Sequence, residues 1–218
     1  LWIVGITNTI NLIDGLDGLA AGVSIIAALS IAYVAYIHGE QFGFLLVCFV
    51  MLAVAGGAMG FLPYNFYPAK VFMGDGGSLF LGFMIAILSV VGPLKRSTII
   101  AVVIPVLVLG IPIFDTFFAI IRRLLNGQPI MKADKGHLHH HLMASGYGQL
   151  RAVLMLYGIS ADMGMAAVLV SRELYKDAFV LIVITILYLY VFLTDPNRNV
   201  QKRQAVDIAK EERQNKHD

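Results

Sequence analysis

Long apolar stretches separated by short polar connections run through this chain. Six of them approach or reach the roughly 20 residues that an α-helix needs to cross a bilayer. They cover residues 17–37, 42–62, 78–93, 98–121, 151–170 and 178–194. Before the first stretch, LWIVGIT reads as the last turns of a helix that is already under way. The pattern therefore predicts an all-α, polytopic transmembrane helical bundle with about six spans and an N-terminal helix stub.

Composition supports a membrane class over a soluble one. Hydrophobic residues make up 58% of the 218 residues, charged residues only 14%, and the mean hydropathy is +0.78. Soluble domains usually carry about a quarter charged residues. We predict a transmembrane domain over residues 1–194 and a charged cytoplasmic tail over 195–218. Gly56, Gly57 and Gly60, in AVAGGAMG, favour close packing between helices.

Lysine and arginine are concentrated in one of the two sets of connections. One set comprises residues 8–16, 63–77, 122–150 and the tail, and the other comprises 38–41, 94–97 and 171–177. Twelve of the sixteen lysines and arginines belong to the first set or its border, and four belong to the second. Cytoplasmic connections carry the excess of these residues, so we expect the first set to face the cytoplasm.

NLIDGLDG, residues 11–18, contains two aspartates at the edge of an apolar stretch. If a helix has begun there, Asp14 and Asp17 lie three residues apart on one surface and can face one target. Alternatively, both cap the start of a helix, where acids suit the free amides and the dipole. Because carboxylates beside lipid are costly, and Asn8 and Asn11 stand nearby, the pattern favours a polar site.

VFMGDGGSLFLGF, residues 71–83, places Asp75 among three glycines just before an apolar stretch. Glycines let the backbone approach a ligand closely, and free amides at a helix start favour anions. An aspartate in this setting can hold Mg²⁺, which takes oxygen ligands and commonly bridges to phosphate. The alternative is a glycine-rich turn in which Asp75 or Ser78 caps a helix. Asn65, just upstream, adds an amide that could recognise a base or a sugar.

KADKGHLHHHLMASG, residues 132–146, gathers four histidines in a basic connection: His137, His139, His140 and His141. A zinc site is one alternative and a solvated loop is another. No cysteine accompanies the histidines, and the neighbouring cations Arg122, Arg123, Lys132 and Lys135 would repel a metal ion. Basic groups with imidazoles suit a diphosphate better.

Acids and glycines that can hold a metal thus share one predicted face with cations and imidazoles. Such a face suits a nucleotide diphosphate, and its place at the lipid boundary allows a lipid as the second substrate. A membrane transporter is the main alternative of another class, although its polar residues would cluster near the bilayer midplane. An inactive gene fragment is a third.

The chain resembles the polyprenyl-phosphate N-acetylhexosamine-1-phosphate transferases over nearly its whole length up to the tail. Three motifs stand in that family's order and spacing: NTINLIDGLDGLAAG, PYNFYPAKVFMGDGGSLFLGF and DKGHLHHHL. The resemblance implies a membrane glycosyltransferase that moves a sugar-1-phosphate from a UDP-sugar to undecaprenyl phosphate and releases UMP. It further implies Mg²⁺ as cofactor, with Mn²⁺ as the alternative ion. It implies a bacterial plasma membrane with the active site on the cytoplasmic face and no nucleic-acid partner, and it leaves a homodimer open.

The resemblance also assigns roles to residues of this sequence. Asp75 is implied as the metal ligand, and Asn65 is implied to lie near the uracil. The implied catalytic residues are Asp14, Asp17, His137, His139 and His140. The implied substrate-binding residues are Asn11, Asn65, Arg122, Arg123 and His141.

The particular residues within the motifs favour one branch of the family. GDGGSLFLGF and DKGHLHHHLMASGYG resemble the branch that uses UDP-N-acetylglucosamine to start teichoic acid, O-antigen or a related glycan. The alternative is the phospho-N-acetylmuramoyl-pentapeptide transferase branch of peptidoglycan synthesis, in which we expect Pro and Ile near the histidines, where this chain has Gly136 and Leu138. The family's acidic pair, DD, does not occur here. We therefore assign no general base and expect the chain by itself to be inactive.

Overall fold

Seven α-helices contain most of the residues that the computed structural model describes, which are 1–39, 42–91, 103, 106–125 and 148–194. They are α1 (Trp2–Ile13), α2 (Leu19–Ile37), α3 (Phe42–Asn65), α4 (Gly74–Val91), α5 (Gly110–Leu125), α6 (Gln149–Ser171) and α7 (Tyr175–Thr194). No strand occurs within these ranges, which confirms the all-α prediction. Three described helices are long and apolar enough to cross a membrane, namely α2, α3 and α6, and α1 and α4 are shorter apolar helices.

The predicted spans match helices, but several predicted ends are wrong. α1 continues through Asn8 and Asn11 to Ile13, so the connection begins six residues later than expected. α3 continues through Pro63 to Asn65, three residues beyond the expected end at residue 62. α4 begins at Gly74 rather than at residue 78. The first part of the predicted span 98–121 and the whole predicted tail 195–218 lie outside the described residues.

Helix α2 is the centre of the described bundle. It contacts α1, α3, α4 and α6, while α1 packs mainly along α4 and α7 packs on α6. Fully buried alanines occur along α2, among them Ala20, Ala21, Ala27 and Ala28. Small side chains let neighbouring helices approach where lipid tails supply no hydrophobic driving force between helices.

The described connections sort onto two ends of the bundle, as the sequence predicts. The turn 14–18 and the loop 66–73 are joined by hydrogen bonds, so they share one end. At the other end, the Arg172 guanidinium after α6 donates to the Tyr33 hydroxyl and lies over its ring, 5.5 Å from the centroid. Because Tyr33 lies near the end of α2, the connection after α2 shares this second end with the connection after α6.

Close helix contacts form at glycines other than those of AVAGGAMG. A Cβ atom added at Gly56, Gly57 or Gly60 would meet nothing within 4 Å, so the packing expected there is wrong among the described residues. At Gly82 of α4, by contrast, a Cβ would lie 2.8 Å from the Cα of Thr7 in α1. The backbones of α1 and α4 therefore touch at Gly82, one helical turn from the polar end of this pair.

Candidate active site

Two of the three sequence motifs meet at one end of the bundle. NLIDGLDG supplies the end of α1 and the turn 14–18, and the GDGGS motif supplies the first turn of α4. Packing of α1 along α4 brings them together. Residues of the two motifs therefore form one polar cluster at this end.

The two aspartates of NLIDGLDG occupy neither of the arrangements expected for them. Asp14 follows the last residue of α1, and Asp17 lies in the turn before α2, so the pair does not share a helix surface. The N-cap of α2 is Gly18, and no side chain caps this helix end. Gly18, directly after Asp17, lies in the left-handed region at φ +80°, which glycine adopts without steric cost.

Asn11, Asp75 and Ser78 form a hydrogen-bonded group between α1 and α4. The Asn11 amide nitrogen donates to Asp75 Oδ1 at 3.0 Å and to Ser78 Oγ at 2.8 Å. Ser78 in turn donates to the Gly74 carbonyl at 3.0 Å, one turn earlier in α4. Asp75 itself is exposed, while Ser78 is fully buried. The group therefore presents the Asp75 carboxylate to solvent from a buried polar support.

A second group of hydrogen bonds ties the turn 14–18 to the loop 66–73. Asp17 Oδ2 accepts from the Ala69 amide at 3.0 Å. Asn65 accepts from the Gly18 amide at 3.1 Å and donates to the Val71 carbonyl at 3.0 Å. Asn65 is only 2% exposed, so in this structure its amide connects the two segments. Its contact with a nucleotide stays a prediction.

Tyr157, which the sequence analysis did not single out, reaches this turn from α6. Its hydroxyl donates to the Gly18 carbonyl. Its ring fills the space beside Gly22, where an added Cβ would lie 2.0 Å from a ring atom. The tyrosine is 139 residues from Gly18 along the chain and lies in an apolar helix, so no local pattern indicates the contact.

The carboxyl group of Asp14 has a pKa that its surroundings raise. Partial burial and, to a smaller extent, the negative charge of Asp75 together raise this pKa from 3.8 to about 6. Removal from water disfavours the charged carboxylate, and so does a second carboxylate nearby. A cation bound by both Asp14 and Asp75 would offset the repulsion between the two carboxylates.

The donor atoms fit Mg²⁺ but do not form a complete protein site. Mg²⁺ is usually bound through one or two carboxylates, together with water and substrate phosphates. Asp14 and Asp75 are two carboxylates close enough to repel each other electrostatically, without a basic side chain bonded to either in the described part. No cluster of three or more acidic, histidine or cysteine side chains occurs within the described ranges, so Asp17 does not join them as a third ligand.

The histidine motif cannot be placed beside this cluster. His137, His139, His140 and His141 lie outside the described residues, and so does the side chain of Arg122. Arg123 lies in the last turn of α5 and is half-buried. The roles implied for these residues stay predictions.

An apolar cavity of about 480 Å³ lies between α3 and α4. Its walls include Ala53, Gly57, Phe61, Phe80 and Met84. Met73 and Gly77, which are within two residues of Asp75, also line it. One end of the cavity is therefore at the level of the first turn of α4, although Asn11, Asp75 and Ser78 are not among its lining residues.

Comparison with known proteins identifies one matching family and several related proteins. Residues 1–93 match the family described as glycosyl transferase family 4. The chain is 51% identical, over 187 residues, to a probable undecaprenyl-phosphate N-acetylglucosaminyl 1-phosphate transferase of Bacillus subtilis. That alignment covers 85% of this chain and 51% of the relative.

Two further relatives are more distant. The decaprenyl-phosphate N-acetylglucosaminephosphotransferase of Mycolicibacterium smegmatis is 39% identical over 169 residues, which are 71% of this chain and 42% of the relative. The phospho-N-acetylmuramoyl-pentapeptide-transferase of Moorella thermoacetica is 40% identical over 169 residues, which are 76% of this chain and 49% of the relative. The chain therefore spans about half the length of the curated relatives it matches.

Proposed function

Because this chain belongs to glycosyl transferase family 4, we propose that it contributes the activity of an undecaprenyl-phosphate N-acetylglucosamine-1-phosphate transferase. In that reaction an oxygen of the lipid phosphate bonds to the sugar-bearing phosphorus of UDP-N-acetylglucosamine. The bond from that phosphorus to the bridging oxygen breaks, and UMP leaves. The product would start a wall glycan such as teichoic acid or O-antigen at the bacterial plasma membrane.

One observation carries the proposal: the end of α1, with Asn11 and Asp14, meets Asp75 of a separate motif, and Asn11 donates to Asp75 at 3.0 Å. A diphosphate and a lipid phosphate bring several negative charges into one place, and two bare carboxylates would repel them. Mg²⁺ held by Asp75 and Asp14 would neutralise that charge and polarise the phosphoryl group. The pair therefore supports a metal-dependent phosphoryl transfer better than direct recognition of an anion.

The other residues of the cluster have positioning roles in this proposal. Asn11 orients Asp75 through its amide nitrogen, 3.0 Å from Oδ1. Asp17 and Asn65 hold the turn 14–18 against the loop 66–73, which places the acidic turn beside α4. The histidines 137, 139, 140 and 141 and Arg122 and Arg123 would contact the diphosphate, as the motif resemblance implies. Fixed cations at that point stabilise the charge that builds up during transfer.

The adjoining cavity supports a lipid as the acceptor. Its walls are apolar and include Met73 and Gly77, each two residues from Asp75 along the chain. We propose that the first isoprene units of the polyprenyl tail lie there, which places the lipid phosphate at the cluster.

The test measures UMP release in detergent with undecaprenyl phosphate and Mg²⁺. UDP-N-acetylglucosamine and UDP-N-acetylmuramoyl-pentapeptide are compared as donors. Because the chain spans about half of its relatives, it is assayed both as it stands and joined to the remaining half of the Bacillus subtilis relative. We expect no release from the chain as it stands, and release from the chimaera with the first donor only, which agrees with 51% identity to that relative against 40% to the Moorella one.

A pair of matched variants tests the metal ligand. Asp75→Asn removes an exposed carboxylate from the first turn of α4, and we expect it to abolish UMP release. Asp177→Asn removes an exposed carboxylate from the first turn of α7 and should leave the rate unchanged. Release with the pentapeptide donor alone would move the protein to the other branch. No release from a folded chimaera with either donor would refute both assignments and favour a transporter.

A further inference from the structure

Ser78 is the buried member of the polar group between α1 and α4. It is 0% exposed, lies one turn inside α4, and reaches no solvent itself. Its hydroxyl has one hydrogen and two lone pairs. It lies 3.0 Å from the Gly74 carbonyl and 2.8 Å from the Asn11 amide nitrogen. These two contacts decide how its hydrogen is used.

The Gly74 carbonyl can only accept a hydrogen bond, so the hydroxyl hydrogen of Ser78 is directed there. Ser78 then offers only lone pairs to Asn11. The side of the Asn11 amide that faces Ser78 must therefore be its NH₂ group, because a carbonyl oxygen there would meet another acceptor. The buried hydroxyl thus favours the same orientation of the amide as the acceptor-only carboxylate of Asp75.

The selected orientation determines what Asn11 does at Asp75. Its second N–H hydrogen points to Asp75 Oδ1 at 3.0 Å, which is an ordinary length for a hydrogen bond to a carboxylate. The other oxygen of Asp75 takes no part in this bond. In the reversed orientation the amide oxygen would face the carboxylate, and Asp75 would lose its donor.

We propose that Ser78 is a positioning residue that fixes the Asn11 amide as a hydrogen-bond donor to Asp75. This inference rests on the proposed function, in which Asp75 binds the divalent cation. Ser78 touches neither the cation nor a substrate, and it acts through Asn11. Groups that orient a metal ligand typically change metal affinity by about 10- to 100-fold when removed. Since Ser78 acts one contact further away, we expect about a tenfold effect.

The same helix pair provides a matched control. Ser89 of α4 is also 0% exposed, accepts a hydrogen bond from the Trp2 indole of α1 at 3.2 Å, and donates to the Ala86 carbonyl at 2.8 Å. It lies three turns from Ser78 along α4. Ser89→Ala therefore removes the same kind of bond between the same helices without touching the polar cluster.

The experiment measures Mn²⁺ binding by electron paramagnetic resonance in the purified protein, without substrates. We expect the dissociation constant to rise about tenfold in Ser78→Ala and to stay unchanged in Ser89→Ala, with similar small losses in thermal stability. Asn11→Ala should weaken binding as well. The double variant Asn11→Ala with Ser78→Ala should be no weaker than Asn11→Ala alone, because both act through one amide.

Several outcomes would overturn the inference. They are unchanged binding in Ser78→Ala, equal weakening in Ser89→Ala, or additive losses in the double variant. If Ser78→Ala does not fold, Ser78→Cys, which is nearly the same size and a weak acceptor, should show an intermediate loss. Asp75→Asn distinguishes failure of the proposed function from failure of this inference. If Asp75→Asn binds Mn²⁺ normally, Asp75 is not the metal ligand. If Asp75→Asn loses Mn²⁺ binding while Ser78→Ala keeps it, only the role of Ser78 is refuted.

Discussion

Replacement of Gly82 by alanine should separate the two helices that build the polar cluster. The added Cβ would lie 2.8 Å from the Thr7 Cα, 2.9 Å from the Thr7 carbonyl oxygen and 3.1 Å from the Ile10 Cβ. Two of these neighbours are backbone atoms, so no flexible side chain can move aside. Ordinary contact begins at about 3.4 Å, and α1 must therefore move away from α4 by roughly 0.6 Å.

The displacement acts one turn from the hydrogen bonds of Asn11. Those bonds measure 2.8 Å to Ser78 and 3.0 Å to Asp75, and the same shift would bring them to about 3.4–3.6 Å. At 3.6 Å a side-chain contact no longer counts as a hydrogen bond. Overpacking costs about 1–3 kcal/mol, and the better helix propensity of alanine returns up to about 1 kcal/mol. We expect a net destabilisation of about 1–2 kcal/mol and at least tenfold weaker Mn²⁺ binding.

Gly158→Ala is the control for Gly82→Ala. Gly158 also lies inside a helix, α6, and a Cβ there would meet nothing within 4 Å. This variant should be neutral or slightly stabilised by helix propensity and should bind Mn²⁺ normally. Both are compared by thermal unfolding in detergent and by Mn²⁺ titration. A Gly82→Ala protein as stable as its parent, with unchanged Mn²⁺ affinity, would refute the argument that backbone contact sets the geometry of the cluster.

Three further predictions concern the turn, the cavity and the acid pair. Asn65→Ala removes both hydrogen bonds that join Gly18 and Val71 through a buried amide, and it should cost about 1–3 kcal/mol in thermal or denaturant unfolding; stability within error of the parent would contradict the connecting role. Gly57→Leu fills the apolar cavity from a position with open space around it, so it should raise the KM for undecaprenyl phosphate several-fold and leave the KM for the nucleotide sugar unchanged. Equal changes in both KM values would argue against a lipid in the cavity. Because the pKa of Asp14 is raised from 3.8 to about 6, this carboxyl is about half protonated at pH 6, and cation binding should release protons there but hardly any above about pH 8. Calorimetry in two buffers of different ionisation enthalpy measures the release. The same shift means that the folded protein binds the proton more tightly than the unfolded chain, so this contribution to stability is present below about pH 4 and is lost as the pH rises through about 6.

Local sequence was enough for the apolar helices and for most of the polar cluster. Stretches of about 20 apolar residues have few alternatives to a membrane helix, since backbone groups in lipid must be paired within the segment. The Asp-Gly pairs and the GDGGS motif predicted a polar site at Asp14 and Asp75, because carboxylates beside lipid are costly. Helix ends were less well predicted: Asn8 and Asn11 looked like a polar connection but lie within α1, where one face packs on α4.

Contacts between distant segments followed from no local pattern. The pairing of Gly18 with Tyr157 joins residues 139 positions apart, and an isolated tyrosine in an apolar helix resembles any other. The glycines of AVAGGAMG looked suited to close packing, yet the backbone contact forms at Gly82. A glycine allows two helix backbones to come close, but the position of the neighbouring helix decides whether they do.

By itself, the sequence determined that this protein is a membrane helical bundle and that its acids and amides collect on one face. These properties depend on hydropathy and on the order of motifs along the chain. Only the tertiary structure decided that Asn11 donates to Asp75 and Ser78, and that Asn65 and Tyr157 hold the turn 14–18 at Gly18. A hydrogen bond requires a separation of about 3 Å and a defined direction, and the packing of α1 against α4 and of α2 against α6 sets both.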